Sequence, residues 1–361
     1  MKRRSALLFA AALPALARAQ PLVAPRRLDF PRDFGAHPAH RTEWWYATGE
    51  LRTPAGAVFG FQSTFFRSRT GLAVGDPSRF APRQLLFAHA ALTDLGERRL
   101  LHAQRLARWN GDPLAPLAAA AEDDTHVHIG DWRFERAGAP DASRYRARLA
   151  DRNAGFGFDL ALAATQPLLL QGNAGFSRKG PDPSQASHYY SQPQLAVRGR
   201  LWRGGGDTEV QGVAWLDHEW SETMMSPDAV GWDWIGMNLA DGAALTAFRL
   251  RRADGSASWA GGSHRAAGGP TVVFDAGDLR FTPGRRWTSP ATAVAYPVEW
   301  QIDTPAGSWR VRARLDAQEL DSRASMGTAY WEGLSELLHA DGRPAGRGYL
   351  EMTGYAGRLK L

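Results

Sequence analysis

The 361-residue sequence contains no cysteine. A disulfide framework is therefore excluded, and the fold must be held together by its hydrophobic core. A lipid-anchored lipoprotein is excluded as well, because that anchor is attached to a cysteine. Beyond the N-terminal segment, no run of 18 consecutive apolar residues occurs. We therefore expect a soluble mature protein without a transmembrane helix.

Motifs of two common enzyme classes are also missing. The glycines at 204–206 are not framed by a strand and a helix, which argues against a nucleotide-binding loop. No Gly-x-Ser-x-Gly elbow occurs, so a serine-hydrolase mechanism is not supported. The sequence predicts neither a metal site nor an organic cofactor.

The positive net charge does not indicate nucleic-acid binding. The formal charge is +6, with 43 Lys and Arg against 37 Asp and Glu. The basic residues are scattered and often occupy every second position, as in residues 144–148 (RYRAR) and 310–314 (RVRAR). That spacing is typical of the solvent face of a β-strand. It does not build the single basic patch that phosphate backbones require.

The N-terminus has the layout of a secretory signal peptide. Residues 2–4 (KRR) precede the small and apolar residues 5–16, and residues 17–19 (ARA) match the small-x-small cleavage pattern. The expected signal peptide is residues 1–19, which makes Gln20 the first mature residue. The arginine pair also admits the twin-arginine route in place of the general secretory one. On either route we expect a periplasmic or secreted protein.

The mature sequence reads as many short strands separated by turns. Runs of aromatic and β-branched residues alternate with turn signals such as residues 53–56 (TPAG) and 304–307 (TPAG). In one such run Phe59, Phe61 and Phe65 share a face. Convincing helices are few. This pattern predicts an all-β protein with a barrel or sandwich architecture.

An internal repeat indicates that two similar domains follow the signal peptide. Residues 44–51 (WWYATGEL) lead through a glycine turn into an aromatic strand, and residues 232–239 (WDWIGMNL) open a similar hairpin. A chain of this length commonly forms two domains. We therefore predict domains at residues 20–194 and 195–361.

Aromatic-rich motifs along the chain carry a resemblance to a known family. Residues 37–46 (HPAHRTEWWY) resemble the opening signature of AttH-like proteins, which are often labelled predicted secreted hydrolases and are related to carotenoid 1,2-hydratases. The resemblance covers nearly all of the mature chain. It implies two lipocalin-like antiparallel β-barrel domains packed together. Further matches are residues 88–92 (AHAAL), 186–191 (ASHYYS), 215–220 (WLDHEW), 231–234 (GWDW), 330–333 (YWEG) and 348–355 (GYLEMTGY).

The motif at residues 215–220 contains the candidate catalytic residues Asp217, His218 and Glu219. Strand alternation places the two carboxyls on one face and His218 with Trp220 on the other. If the carboxyls line a cavity, their mutual repulsion and burial raise their pKa values, and either becomes a candidate general acid. If His218 faces the cavity, it is the candidate acid or base. A structural role, with bonds to the backbone and to arginines, is the alternative.

Acidic residues recur beside aromatic residues elsewhere, as at Glu43, Glu332 and Glu351. Aromatic walls with a few carboxyls suit an apolar isoprenoid-like or lipid-like ligand, and they stabilise a carbocation formed by protonating an alkene. The alternative is plain barrel core, with acids paired to Arg67 or Arg249. The candidate ligand-binding residues are Glu43, Trp44, Tyr46, Gln62, Tyr189, Tyr190, Trp220, Trp232, Asp233, Trp234, Glu332, Tyr349 and Glu351.

One position departs from the hydratase branch that the sequence resembles. In that branch the strand equivalent to residues 234–236 carries an aromatic residue followed two residues later by the essential acid, whereas this chain has Gly236. Asp233 is the nearest acid and is predicted on the opposite face. Residues 218–220 do match a His-x-Trp that the hydratases use. Alkene hydration by the usual acid is therefore not expected.

Three functions remain open from the sequence. The first is an exported lipocalin-like protein that binds an apolar ligand, with an inner-membrane ABC exporter as the partner that the AttH resemblance implies. The second is a hydratase-type or lyase-type enzyme that protonates an alkene with Asp217, His218 or Glu219. The third is a structural or interaction module whose barrels are filled by their own side chains.

The signal-peptide interpretation predicts the start of the mature chain. Protein recovered from the periplasm or the medium should begin at Gln20, because cleavage follows the small residues of the pattern. Intact-mass spectrometry measures this directly, and the variant Ala19→Leu should retain the N-terminal segment. Recovery of the full-length chain from the cytoplasm alone would contradict the prediction.

Overall fold

The computed structural model describes residues 23–358 except Ala73 and Arg79. The predicted signal peptide lies outside these described residues. No helix in this part of the chain has the length and hydropathy of a membrane span. The helical segments are two 3-10 turns, Arg32–Phe34 and Ala276–Asp278, and a one-turn helix, α1 (Arg323–Met326).

The first half of the chain forms one antiparallel sheet, here the N-terminal sheet. Its strands are β1 (Thr42–Arg52), β2 (Val58–Arg69), β3 (Gln84–Asp94), β4 (Arg99–Trp109), β5 (Ala118–Ala120), β6 (His126–Ile129), β7 (Trp132–Ala137), β8 (Arg144–Asp151), β9 (Phe156–Ala163), β10 (Leu169–Leu170), β11 (Phe176–Arg178), β12 (Ala186–Arg203) and β13 (Gly206–Thr223). The hydrogen-bonded order is β4-β3-β2-β1-β13-β12-β9-β8-β7-β6-β5, with β10 and β11 added to β12.

The second half forms the C-terminal sheet, also antiparallel. Its strands are β14 (Ala229–Leu239), β15 (Ala244–Arg252), β16 (Ala257–Arg265), β17 (Thr271–Phe274), β18 (Arg280–Pro283), β21 (Glu299–Thr304), β22 (Gly307–Ala313), β23 (Glu319–Ser322), β24 (Thr328–His339) and β25 (Pro344–Met352). The order is β17-β16-β15-β14-β25-β24-β22-β21-β18, and β23 pairs with β24. A separate ribbon joins β19 (Arg286–Thr288) to β20 (Ala295–Pro297).

The predicted all-β architecture is confirmed, with two large antiparallel sheets and few helical residues. Residue 195, the predicted start of the second domain, lies inside β12, and β12 and β13 both pair within the N-terminal sheet. The chain changes sheet between Thr223 and Ala229. Residues 195–223 therefore belong with the first sheet, because the long β12–β13 hairpin joins β1 to β9.

The N-terminal sheet curls until its two edge strands, β4 and β5, contact one another. The concave face is filled by buried aromatic and aliphatic side chains. Phe59, Phe61 and Phe65 all belong to this core, together with Trp45 and Trp220. The face shared by the three phenylalanines is therefore the interior of the nearly closed barrel.

The C-terminal sheet encloses a second, separate core. Ile235 and Met237 of β14 pack there against Trp300 and Trp331. All four side chains are almost fully excluded from solvent. Each sheet therefore buries its own apolar interior, which is the main source of stability for a chain without disulfides.

A third hydrophobic cluster lies where the two sheets meet. It combines Tyr46 and Trp215 of the N-terminal sheet with Trp234, Phe248 and Tyr349 of the C-terminal sheet. These side chains point away from the two interiors, because each follows or precedes an interior-facing neighbour along its strand. The sheets thus meet through the outer faces of their central strands.

Two central strands of the C-terminal sheet approach closely at a glycine. Gly348 of β25 lies opposite Met237 of β14. A Cβ atom at position 348 would collide with the carbonyl oxygen of Gly236. The strands can keep this spacing because glycine has no side chain at the contact.

The variant Gly348→Ala should therefore destabilise the protein by about 1–3 kcal/mol, the usual cost of inserting a methyl group into a packed region. Urea unfolding followed by tryptophan fluorescence measures the change. Gly277→Ala is the matched control, since nothing lies within 4 Å of the added Cβ. Equal stability of the two variants would show that β14 and β25 have room to separate.

Candidate functional site

A cleft between the two sheets is the candidate site. Both sheets supply its walls, and it is partly open to solvent. Aromatic side chains form most of the walls, and carboxyl groups interrupt them. Of the candidate residues named from the sequence, those that line the cleft are Trp44, Tyr46, Tyr189, Asp217, Glu219, Trp232, Trp234, Glu332 and Glu351.

Strand β13 sends alternate side chains to the cleft and to the N-terminal interior. Asp217 and Glu219 line the cleft. His218 is fully buried on the other face, beside the core residues Trp45 and Trp220. Of the two orientations open from the sequence, the structure therefore has the one that directs the carboxyls to the cavity.

Asp217 is buried but well supplied with hydrogen bonds. Its Oδ1 accepts from Ser191 Oγ at 2.5 Å and from Trp215 Nε1 at 2.7 Å, and its Oδ2 accepts from Tyr189 Oη at 2.8 Å. Burial raises the pKa of Asp217 to about 7, against the lowering effect of these donors. Asp217 can therefore exchange a proton near neutral pH.

Glu219 differs from Asp217 because it has a cationic partner. Lys179 Nζ lies 2.8 Å from Glu219 Oε1, and Ser187 donates to the same oxygen. The ammonium group also lies 4.0 Å from the centroid of the Phe248 ring. This buried ion pair contributes a fixed positive charge to a cleft that otherwise contains acids.

Glu332 and Glu351 form a carboxyl pair across neighbouring strands. They are direct partners in the β24–β25 ladder, so their side chains lie on the same face. Burial, and then the charge of Glu351, raises the pKa of Glu332 well above its usual value. Burial likewise raises the pKa of Glu351 to about 7. Two adjacent carboxyls, one buried and one half-buried, resist losing both protons, so the pair keeps a proton near neutral pH.

Two buried oxygens beside this pair, Tyr46 Oη and Glu332 Oε1, make no hydrogen bond of standard geometry with a described residue. The Tyr46 hydroxyl nevertheless acts as a hydrogen-bond donor to the Glu332 carboxyl and opposes the rise in its pKa. The other carboxylate oxygen, Glu332 Oε2, accepts from Gln62 Nε2 at 2.7 Å. The hydroxyl and the carboxyl therefore satisfy each other only in part, and incompletely bonded polar atoms are costly when buried.

A chain of hydrogen bonds leads from the carboxyl pair toward α1. Gln62 Nε2 donates to Tyr330 Oη at 2.9 Å as well as to Glu332. Tyr330 Oη lies 2.9 Å from His89 Nδ1, and His89 Nε2 lies 2.8 Å from Ser325 Oγ. Burial lowers the pKa of His89 to about 3, which keeps the imidazole neutral. The chain orients Glu332 and ends at a partly exposed serine.

The N-terminal interior contains a separate ionic network around Glu43. Glu43 Oε1 accepts from His37 Nδ1 at 2.7 Å and lies 2.9 Å from His218 Nε2, while Oε2 accepts from Arg67 Nε at 2.7 Å. Burial alone would raise the pKa of Glu43. Arg67 and the two histidines instead hold this pKa well below its usual range.

This network does not favour a metal ion. His37, Glu43 and His218 do place ligand atoms within 4.8 Å of one another, a spacing that zinc ligands can adopt. The guanidinium of Arg67, however, already neutralises the carboxylate and would repel a cation. We therefore assign the group to a buried ion-pair network.

Several candidate residues from the sequence lie outside the cleft. Glu43, Tyr190, His218 and Trp220 face the N-terminal interior, where Tyr190 Oη lies 3.0 Å from His218 Nδ1. Asp233 faces the C-terminal interior and accepts from Arg249 Nε at 2.7 Å. Odd and even positions of one strand face different compartments. Each sequence motif therefore contains residues of the cleft together with residues of an interior. Near the cleft but not on its wall are Gln62, which holds Glu332, and Tyr349, which packs in the interface cluster.

A comparison with known protein families identifies the family of this chain. The sequence model of the AttH-like family matches residues 21–355. The chain belongs to the AttH-like family. It is also similar to the crystal structure of the AttH protein of Nitrosomonas europaea, with 47% identity, 93% of this chain and 99% of that chain covered, and a TM-score of 0.85. A comparison with curated proteins gives no match.

More distant structures share the fold of this AttH-like protein. Kievitone hydratase from Nectria haematococca is 16% identical, with 94% of this chain and 95% of that chain covered and a TM-score of 0.69. CghA with Sch210972 is 12% identical, with 88% and 90% covered and a TM-score of 0.54. At these identities the similarity establishes a common fold.

Gly236 explains why this AttH-like chain has no acid at the position expected from the hydratase branch. A Cβ atom there would collide with the ring of Trp234 and crowd the ring of Trp215. The space of that side chain is therefore taken by two tryptophans of the interface. The carboxyl pair lies on the neighbouring strands, where Glu351 is the ladder partner of Trp234.

Several residues of the cleft wall were not predicted from the sequence. Phe66, Phe248, Tyr330 and Met326 line it, and Lys179 carries its fixed positive charge. Tyr330 could have been predicted as a cleft residue from the sequence, because it lies two residues before Glu332 on the same face of the strand. Lys179 lies in a loop, where no periodic pattern indicates its direction.

The raised pKa of Glu351 predicts a pH-dependent effect of its removal. A carboxyl whose pKa is higher in the folded state stabilises below about pH 4.5, and this contribution is lost as the pH rises through about 7. Glu351→Gln should therefore be more stable than the wild type by on the order of 1–3 kcal/mol at pH 8.5 and nearly equal at pH 5. Urea unfolding at both pH values tests this, with the exposed Glu209→Gln as control. An effect of the same size at both pH values would contradict the raised pKa.

Proposed function

We propose that this AttH-like protein is a hydratase-type or hydro-lyase-type enzyme that acts on an apolar small molecule containing an alkene. The observation that carries the proposal is the pair of adjacent carboxyls, the buried Glu332 and the half-buried Glu351, in an aromatic-walled cleft. Such a pair supplies one proton donor and one proton acceptor at the same pH. Apolar walls with a few convergent polar groups are typical of small-molecule sites.

The reaction begins when the protonated carboxyl of the pair transfers its proton to one alkene carbon. The electron pair of the double bond forms the new C–H bond and leaves a carbocation on the neighbouring carbon. A water oxygen then bonds to that carbon, and the ionised carboxyl takes the proton that the water releases. The sum is alkene plus water giving an alcohol, and the reverse sequence is a dehydration.

The walls of the cleft suit the cationic stage of this reaction. The rings of Trp44 and Trp232 stack with centroids 6.4 Å apart, and Trp234 lies against Tyr46. Aromatic faces attract positive charge without donating a nucleophile. The carboxylates of the cleft add electrostatic stabilisation in surroundings of low polarity.

The assignment of catalytic residues differs from the sequence hypothesis of Asp217, His218 and Glu219. His218 faces the interior, and Glu219 is paired with Lys179, which leaves Asp217 as the third proton-exchanging acid of the cleft. Hydrogen bonds from Tyr189 and Ser191 fix the carboxyl of Asp217. We assign Glu332 and Glu351 to proton transfer and Asp217 to orienting the substrate or water.

Two further observations support a hydratase function. One neighbour with the same fold is by name a hydratase of kievitone, and the family resemblance seen in the sequence includes the carotenoid 1,2-hydratases. With the predicted signal peptide, we propose that the enzyme works in the periplasm or is secreted.

Ligand carriage is the second candidate function. The observation that favours it is the incomplete hydrogen bonding of Tyr46 Oη and Glu332 Oε1, to which a ligand hydroxyl would bond without any reaction. In this version the protein hands its ligand to an inner-membrane ABC exporter. Core side chains fill the N-terminal interior and the central part of the C-terminal interior, so an apolar ligand would occupy the interface cleft in either case.

The decisive experiment follows proton transfer to carbon. Native mass spectrometry with lipid extraction first identifies any apolar molecule that the protein carries from its own cells. That molecule and a panel of prenylated alkenes, kievitone among them, are then incubated with the protein in D₂O. We expect deuterium on an alkene carbon and an alcohol product. A bound molecule that stays unlabelled and unchanged would favour the carrier.

The carboxyl pair should be essential for this labelling. Glu332→Gln and Glu351→Gln should each lower the rate by about 10²–10⁴-fold, the usual contribution of a general acid or base. Ligand affinity should change little, because the amides keep the shape of the cleft. Glu209→Gln, which alters an exposed glutamate (76% exposed), is the control. Full activity in both cleft variants would disprove the assignment.

A further inference from the structure

A second cavity opens at the end of the C-terminal sheet, on the opposite face of β15 from the cleft. Phe248 and Leu250 line the cleft, whereas Arg249 and Arg251 alternate with them and line this second cavity. It encloses about 1120 Å³, part of it open to solvent. The cavity is therefore separated from the proposed active site by the thickness of one sheet.

Arginines dominate the polar part of this cavity. Arg286 and Arg358 lie on its wall together with Arg249 and Arg251, and Asp254 is the acid on the wall. The buried Asp233 lies nearby and accepts from Arg249 Nε at 2.7 Å and from Tyr355 Oη at 2.8 Å. The guanidinium groups thus outnumber the carboxylates, which gives the cavity a positive potential.

Arg251 is buried without a carboxylate of its own. It is 6% exposed, and its Nε has no hydrogen-bond partner among the described residues. Its nearest carboxylate oxygen, Asp233 Oδ2, lies 3.9 Å away and already accepts from Arg249. Burying a guanidinium without an anion is costly. Arg249 and Arg251 therefore share one carboxylate, which leaves an excess of positive charge at the base of the cavity.

The buried guanidiniums are held in fixed orientations. Arg251 Nη2 donates to the carbonyl oxygen of Thr353 at 2.7 Å, and its guanidinium lies 3.8 Å from the centroid of the Tyr355 ring. Arg249 lies 4.8 Å from the centroid of the Trp300 ring. Stacking on an aromatic face leaves the edge of a guanidinium free to donate. These arginines are therefore already oriented for an acceptor before a ligand arrives.

The exposed arginines extend the same site toward solvent. The side chain of Arg286 makes no hydrogen bond or ion pair with any described residue, although it lies on the cavity wall. Arg358 donates to the carbonyl oxygen of Pro227 at 2.7 Å and has no carboxylate partner in the described chain. Both are available to an entering anion.

We propose that this cavity is a binding site for small oxyanions, carboxylates or phosphates, with Arg251 at its base and Arg286 at its rim. Two N–H groups of a guanidinium match two oxygens of such an anion. Arg249 stays paired with Asp233. The site is independent of the proposed catalysis, because none of its arginines lines the cleft.

Isothermal titration calorimetry of the full mature chain tests this site. Inorganic phosphate and succinate are titrated separately, at an ionic strength fixed with chloride, so that the phosphate and carboxylate classes are distinguished. We expect saturable binding of at least one of them, with Arg251→Gln and Arg286→Gln each weakening the affinity about 10-fold, as expected for the loss of a charge-assisted hydrogen bond. Arg200→Gln, at an exposed arginine of the N-terminal sheet, should leave the affinity unchanged.

Arg286→Gln is the safer of the two variants, because its exposed side chain has no partner to lose on substitution. If Arg251→Gln fails to fold, Arg286→Gln alone decides. Absence of saturable heat for both anions would overturn the proposal. So would an affinity that is the same in the wild type and in Arg286→Gln, because binding would then occur elsewhere.

Discussion

The side chains of a β-strand alternate between its two faces, and the central strands of this protein use the two faces for different purposes. In β13, Asp217 faces the cleft and His218 faces the N-terminal interior. In β15, Phe248 faces the cleft and Arg249 faces the opposite cavity. The register of each of these strands therefore determines which side chains point into the cleft and which point away from it. One strand can supply a carboxyl to the cleft and an imidazole or aromatic ring to the core, because adjacent residues of a regular strand point to opposite faces.

The N-terminal interior and the cleft differ in whether their carboxyl groups have cationic partners. Inside the N-terminal sheet, Glu43 is surrounded by Arg67 and two histidines, which keep it ionised and hold the strands together. In the cleft, Glu332 and Glu351 face each other without a cation. The first arrangement stabilises the fold, whereas the second lowers its stability above neutral pH. Natural proteins tolerate such destabilising groups mainly where they act on a ligand.

Much of the fold followed from the sequence, because glycine turns and alternating aromatic residues are local signals. The orientation of a strand toward one compartment is not local. Glu43 and Trp44 are adjacent in the same motif, yet they belong to different compartments. The division between the sheets was also hidden, because β12 continues through residue 195 as one strand, with only a β-bulge between Gln192 and Leu195. The position of Lys179 depends on the path of a loop. That path is set by packing between the two halves and not by a periodic sequence pattern.

The interface cluster has a consequence for how this fold diversifies. Its members, such as Tyr46 and Trp234, belong to neither interior core. A substitution there reshapes the cleft without opening a void inside either sheet, so each half keeps its own folding energy. The shape of the cleft can therefore change while the two halves remain intact. Structures at 12–16% identity keep the same architecture, which shows how much sequence change the fold tolerates.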